Sequence, residues 1–133
     1  MRKFCVLLAA LMMFAAGLPG AALAEYYNEG HTGDSEADAY IIDSVDDLKQ
    51  MRDRVNAGTE STKYYKLAAD LDITAETEWM PIGSRDFSGV FDGQNHTIKV
   101  NIIGRNAASL FSILSGTIKN LKVSGTIKGY FGG

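Results

Sequence analysis

The sequence predicts a mainly β protein, a β-solenoid of stacked coils with an amphipathic capping helix at its N-terminal end. Three observations lead to this prediction. From Phe87 onward, short β-rich runs alternate with Gly, Asn, Asp and Ser turns. Within those runs the sequence repeats itself, and one clear helical pattern precedes them. Because a single coil cannot bury its apolar face alone, repeats of this kind stack on one another.

The internal repeat has a period of about 20 residues, typical of a solenoid. A shift of 20 positions superposes Phe91 on Phe111, Thr97 on Thr117, Ile98 on Ile118 and Lys99 on Lys119. Phe131 continues the phenylalanine series. We therefore expect Phe91, Phe111 and Phe131 to form one interior column of the solenoid, and Ile98 and Ile118 to form a second.

A helix is predicted over Val45 to Asn56. Ser44 is suited to the N-cap position, with Asp47 three residues later, and Gly58 provides a natural stop. Apolar residues recur between them at helical spacing: Val45, Leu48, Met51 and Val55. We expect this helix to cover the first coil.

The remaining elements are predicted as strands. Tyr40 to Ile42 is a short strand, and Tyr64 to Ile73 has strand character. Residues 115–119 recur as residues 124–128, which predicts two strands of one coil. Since the sequence stops in mid-repeat, we expect a C-terminally truncated solenoid. The unpaired backbone of its open last coil would permit self-association.

The first residues predict export. Arg2 and Lys3 precede an apolar run, and Ala22-Leu23-Ala24 forms a small-residue cleavage site, so residues 1–24 are predicted as a signal peptide. Glycine and proline leave the apolar run short of a membrane span, and no stable membrane insertion is expected after cleavage. The protein is expected to be secreted or displayed on the cell surface. Residues 25–39 are predicted as a flexible leader, and residues 40–133 as the solenoid.

Composition limits the function further. Cys5 is the only cysteine and lies in the predicted signal peptide, which excludes a disulfide framework and thiol chemistry in the mature chain. The net charge of −3 becomes −5 on cleavage, when 11 basic residues face 16 acidic ones. An acidic surface argues against nucleic acid as a partner. We expect no cofactor.

The segment from Trp79 to Gly83, followed by residues 87–98, resembles bacterial surface proteins with GLUG-type repeats. Similar stretches occur in adhesin-like β-helix proteins and beside the metallopeptidase part of immunoglobulin A proteases. The resemblance extends back to residues 65–73 and forward to residues 116–125. The sequence departs from the pattern at Leu110-Phe111-Ser112-Ile113, which lacks the glycine usual after the Leu-Phe pair.

The resemblance implies a right-handed parallel β-helix in a non-catalytic, adhesin-like binding or structural module. Its partners would be host or extracellular-matrix proteins or glycans. The alternative is a fragment of a β-helix enzyme that acts on extracellular polysaccharide, because the same fold hosts such enzymes.

Two groups of polar residues are candidates for chemistry. Asp92 and His96 stand near Asp86, but Asp92-Gly93 is an ordinary turn pair, so no catalytic residue is predicted. Asp70 and Asp72 flank Leu71, which would place both carboxylates on one side of a strand. Such a pair is a candidate site for a bound calcium ion. Calcium requires six or more oxygen ligands, and two solvated acids are the simpler interpretation.

The candidates for ligand binding are Trp79, Lys99 and Lys119. An exposed tryptophan would stack on sugars, although we expect Trp79 to pack within the cap. Lys99 and Lys119 lie one predicted period apart and would begin a basic stripe along the coils, continued by Lys122 and Lys128. Such a stripe would bind acidic glycans, or it is simply a solvated strand face that discourages edge aggregation.

Overall fold

The computed structural model describes residue 27, residues 29–105 and residues 108–130. It contains one helix, α1 (Val45–Ala57), within these residues, and seven strands: β1 (Tyr40–Ile42), β2 (Tyr64–Leu67), β3 (Leu71–Asp72), β4 (Val90–Asp92), β5 (Thr97–Gly104), β6 (Thr117–Lys119) and β7 (Lys122–Gly129). The predicted signal peptide and Phe131 lie outside the described residues. Within the described part, no helix is both long and apolar enough to cross a membrane.

All strands pair in parallel and form two sheets. Sheet one has the order β1-β2-β4-β6, and sheet two has the order β3-β5-β7. The chain passes from sheet one to sheet two three times, through β2 and β3, β4 and β5, and β6 and β7. We call each such pair of strands a layer. The prediction of a mainly β protein is confirmed, and its strands are parallel.

Residues that pair between neighbouring strands of one sheet lie 25 to 27 positions apart. Tyr40 pairs with Tyr65 in sheet one, and Ile98 pairs with Leu71 and Val123 in sheet two. Buried residues of neighbouring strands lie in register, as Tyr65 and Phe91 do in sheet one and Leu71 and Ile98 do in sheet two. The predicted spacing of 20 residues is therefore wrong as a layer spacing.

The two predicted interior columns are wrong for the same reason. Phe91 pairs with Tyr65 and Ile118, while Phe111 forms an isolated bridge with Ile82. Ile98 belongs to sheet two and Ile118 to sheet one, so they do not stack. A shift of 20 aligns a sheet-two strand with a sheet-one strand. The rings of Phe91 and Phe111 still touch, with centroids 5.5 Å apart.

The predicted strand over Tyr64 to Ile73 is two strands in different sheets. β2 ends at Leu67, the chain turns through residues 68–70, and β3 begins at Leu71. The predicted apolar pattern is correct, because the four side chains in question are buried: Tyr65, Leu67, Leu71 and Ile73. A shorter turn, residues 120–121, separates β6 from β7. The recurring residues 115–119 and 124–128 thus contribute to successive strands of one layer, one in each sheet.

Helix α1 is confirmed, and both of its ends are set by local sequence. The Ser44 side chain accepts a hydrogen bond from the Asp47 backbone N–H at 3.1 Å. The helix ends at Gly58, which has a φ of 87° and whose N–H donates to backbone oxygens of the last turn. Its apolar stripe packs into the common core, because Leu48, Met51 and Val55 are buried.

An asparagine fastens the end of α1 to the chain between β3 and β4. Asn56 Nδ2 donates to the Pro81 carbonyl at 3.0 Å. Its Oδ1 accepts from the backbone N–H groups of Gly83 and Ser84 at 2.7 and 2.9 Å. Both the nitrogen and the oxygen of the Asn56 side-chain amide therefore hold the end of the helix against residues 81–84.

Some described residues of the predicted flexible leader contact the rest of the fold. Tyr27 is buried, its ring touches Tyr40 at a centroid distance of 5.4 Å, and its hydroxyl donates to the Glu60 carboxylate. Thr32 binds Asp38 through both its backbone N–H and its hydroxyl. Two described apolar residues of this segment, Tyr27 and Ala39, are thus buried.

Candidate functional site

The corner between the two sheets holds one of the predicted acidic residues. Asp70 lies in the turn between β2 and β3, and its Oδ1 accepts from the Thr97 backbone N–H at 2.9 Å. The same oxygen lies 3.2 Å from His96 Nδ1. The hydrogen bond from Thr97, with the contribution of His96, lowers the pKa of the Asp70 carboxyl. Asp70 therefore ties its own turn to the corresponding turn of the next layer.

The other acidic candidates also support turns. Asp72 Oδ1 accepts from the backbone N–H and the hydroxyl of Thr74 at 2.9 and 2.6 Å. Asp92 accepts from the Gln94 N–H in its own turn and from the Asn120 amide in the next layer. Asp70 and Asp72 share no hydrogen-bond partner, and no metal-competent cluster of three or more acidic, His or Cys residues occurs in the described ranges. The arrangement is one of turn stabilisation.

Replacing Asp70 with asparagine is expected to reduce the acid sensitivity of the fold. A carboxyl whose pKa is lowered by folding stabilises the native state above its ordinary pKa, and that stabilisation is lost as the pH falls through the folded pKa. Urea unfolding of the wild type and Asp70→Asn at pH 3 and pH 6 measures this. The difference between the two pH values should be smaller in the variant, because asparagine keeps the acceptor but does not titrate.

The matched control is Asp53→Asn, since Asp53 is an exposed aspartate that binds only its neighbour Arg52 among the described contacts. If Asp53→Asn removes as much acid sensitivity as Asp70→Asn, the turn contact is not its source.

Trp79 is buried, in agreement with the expectation that it packs rather than presents its ring to solvent. It is 4% exposed, and its indole N–H donates to the Leu110 carbonyl at 3.2 Å. The Arg52 guanidinium covers the ring at 4.7 Å from its centroid. An open depression of about 260 Å³ lies beside it, lined by Arg52, residues 75–78 and Trp79. The ring is thus not available to stack on a sugar.

Lys99 and Lys119 do not form the predicted basic stripe. Lys99 lies in sheet two, in register with Asp72 and Ser124. Lys119 lies in sheet one, in register with Asp92, and its Nζ is 3.9 Å from the Glu36 carboxylate. The stripe prediction depended on the spacing of 20, and it fails with that spacing.

Several apolar side chains are exposed on β7 and on the residues that flank β6 and β7, a part of the chain that we call the open layer. Its exposed members are Ile113, Leu114, Val123, Ile127 and Tyr130. Val123 is 47% exposed although its register partner Ile98 is 0% exposed, and Ile127 is 45% exposed although Ile102 is 1% exposed. Residues at the same interior position are therefore covered in one layer and uncovered in the next.

These side chains were not singled out in the sequence, where only an open last coil is predicted. The signal was present: Val123, Gly125 and Ile127 alternate with polar residues, which is the pattern of a strand with one apolar face. The register of the strands determines that β7 is the last described strand of sheet two. The 20-residue repeat does not predict that register. Large exposed apolar patches mark interaction sites on proteins, so the open layer is the candidate functional site.

Comparison of the chain with protein-family models, with curated proteins and with solved structures gives no significant match.

Proposed function

We propose that this chain is a secreted or surface-displayed, non-catalytic binding or structural module, adhesin-like, built as a right-handed parallel β-helix with α1 as its N-terminal cap. The observation that carries the proposal is the open layer, where interior positions such as Val123 and Ile127 are exposed. A surface of this kind gains free energy by being covered, at about 25 cal/mol per Å² of apolar area removed from water.

The β-helix interpretation is supported by the regular alternation between two parallel sheets. Successive layers repeat at a nearly constant separation of 25 to 27 residues, from Tyr40 and Tyr65 to Phe91 and Ile118. Turns at the sheet corners also stack, since the Asn95 N–H donates to the Asn120 carbonyl at 2.8 Å. Stacking of like positions is how solenoids bury their core.

The non-catalytic interpretation is supported by the use of the polar side chains. Asp70, Asp72 and Asp92 hold turns, and Asp86 accepts a hydrogen bond from the Ser115 hydroxyl. Incubation with acidic polysaccharides and chromatography of the polymer distinguishes the two classes. A binding module leaves the polymer length unchanged, whereas a β-helix enzyme shortens it.

Export is tested by expressing the full chain in a bacterium and analysing the medium, the surface fraction and the cytoplasm. Cleavage after Ala24 should give a protein that begins at Glu25 and has 109 residues, visible as an intact mass. Ala22→Asp and Ala24→Asp together should block cleavage, because the small-residue site is lost. An intact chain that begins at Met1 in the cytoplasm would contradict the proposal.

A further inference from the structure

The depression beside Trp79 lies between helix α1 and the chain that follows β3. It has a volume of about 260 Å³ and is lined by Arg52, residues 75–78 and Trp79. A second depression of about 330 Å³ shares Glu78 and Trp79 with the first and reaches Ile103 near the end of β5. Because the two depressions meet, together they have room for a small polar ligand or a short stretch of a polymer.

Arg52, which lines the first depression, has N–H donors without a protein partner. Its side chain is only 16% exposed, and its Nε donates to Asp53 Oδ1 at 2.9 Å. Within the described part of the chain, no acceptor binds the two Nη groups. A guanidinium presents its donors in one plane, so the Nη groups remain for a ligand.

Trp79 holds the Arg52 guanidinium in a fixed plane. The ring is buried and its indole N–H is bound to the Leu110 carbonyl, so the ring has a fixed orientation. The guanidinium lies over its face, 4.7 Å from the centroid, where cation–π attraction is favourable. A planar guanidinium binds a carboxylate through two parallel hydrogen bonds. Since Arg52 is already ordered, little conformational entropy is lost when such a ligand binds.

The same depression is also lined by two carboxylates. Glu76 is held by Lys49 Nζ at 3.1 Å. Glu78 is exposed and has no ion-pair partner among the described residues. A carboxylate repels a second anion but accepts hydrogen bonds from hydroxyl groups. A ligand that suits the whole depression therefore carries one carboxylate for Arg52 and several hydroxyl groups for the two glutamates.

From this geometry we propose that the depression beside Trp79 binds a carboxylated sugar, a uronate unit of an acidic glycan. The sugar carboxylate pairs with the Nη groups of Arg52, and its hydroxyl groups donate to Glu76 and Glu78. The next unit of the glycan extends into the second depression toward Ile103. The inference rests on the proposed binding function and names the chemistry of a ligand. The residues that line the depression are different from those of the open layer.

The test titrates the isotope-labelled full chain with glucuronate and follows the NMR spectrum. Trp79 is the only tryptophan, so its indole N–H gives a single signal beside the depression. We expect a saturable shift of that signal and of the backbone amides of residues 75–78. Glucose, which keeps the hydroxyl groups, and acetate, which keeps the carboxylate, are the control ligands. Each should bind at least about tenfold more weakly, because each loses one set of hydrogen bonds.

Arg52→Lys keeps the charge but loses the planar pair of donors, and it should weaken the binding of glucuronate about fivefold or more. Arg52→Gln should reduce that binding to the level of glucose. The matched control is Arg85→Gln, at an exposed arginine outside both depressions, which should leave the affinity unchanged. Glu78→Ala, at an exposed position, should narrow the preference for glucuronate over acetate, because an acceptor for the sugar hydroxyl groups is lost. Circular dichroism of each variant shows that the fold is retained.

Equal affinities for glucuronate and glucose, or undiminished binding of glucuronate by folded Arg52→Gln, would overturn this inference. Acetate that binds as tightly as glucuronate would overturn it as well, because the sugar hydroxyl groups would then contribute nothing. A sulfated glucose that binds more tightly than glucuronate would overturn the choice of a carboxylate. Each of these results leaves the proposed function standing, because export and the length of the polymer are measured separately.

Discussion

Gly89→Ala is expected to destabilise the folded chain by about 3 kcal/mol or more, the upper range for overpacking. A Cβ atom on Gly89 would lie 2.0 Å from the Lys63 carbonyl oxygen and 2.9 Å from the Lys63 nitrogen. That oxygen cannot move freely, because it accepts the sheet hydrogen bond from the Val90 N–H at 3.0 Å. The next layer repeats the contact, since a Cβ on Gly116 would lie 2.1 Å from the Gly89 oxygen.

Urea unfolding followed by circular dichroism measures the loss, and Gly58→Ala is the matched control. Gly58 has a φ of 87° but nothing within 4 Å of an added Cβ. It should therefore cost only the left-handed backbone penalty of about 1–2 kcal/mol. If Gly89→Ala is no more destabilising than Gly58→Ala, the layers are not packed as closely as described.

Phe87→Ala is expected to cost about 3–5 kcal/mol, the usual range for truncation of a buried phenylalanine. The Phe87 side chain is fully buried, and its ring lies between those of Tyr65 and Phe111, each at a centroid distance of 5.9 Å. These rings come from β2 and from the segments that precede β4 and β6. Removal of the middle ring opens a cavity and separates the layers from one another.

The controls for Phe87→Ala are a smaller change at the same site and a similar change at an exposed one. Phe87→Leu keeps most of the volume and should cost less than the alanine variant. Ile113→Ala truncates an apolar side chain that is 51% exposed and should change the stability by no more than about 0.5 kcal/mol. Equal losses at Phe87 and Ile113 would show that residue 113 is covered in solution.

The sequence is most informative where structure is determined locally. Ser44 and Gly58 predict the ends of α1 to within one residue, because capping depends on backbone groups only a few positions away. The mainly β class also follows from the short runs and turns. The spacing between layers does not follow from the sequence. Residues that are neighbours across the sheet, such as Ile98 and Val123, are both apolar but are not the same residue type. Identical residues 20 positions apart therefore gave a false register.

The candidate site is less predictable than the fold. That Trp79 is buried depends on Leu110, which is 31 residues away and accepts its hydrogen bond. The partners of Asp70 lie 26 and 27 residues away, at His96 and Thr97. The exposure of Val123 is a tertiary property, because it depends on which strands lie next to β7 among the described residues. None of these contacts has a local signal, so only the three-dimensional register reveals them.

The most direct test of the layered register is oxidative cross-linking of engineered cysteine pairs in a Cys5→Ser background. Lys99 and Ser124 lie in register on β5 and β7, and adjacent strands are about 4.8 Å apart, within disulfide reach. Lys99→Cys with Ser124→Cys should therefore cross-link readily, whereas Lys99→Cys with Lys119→Cys should not. A cross-link between positions 99 and 119 without one between 99 and 124 would restore the 20-residue repeat and contradict this structure.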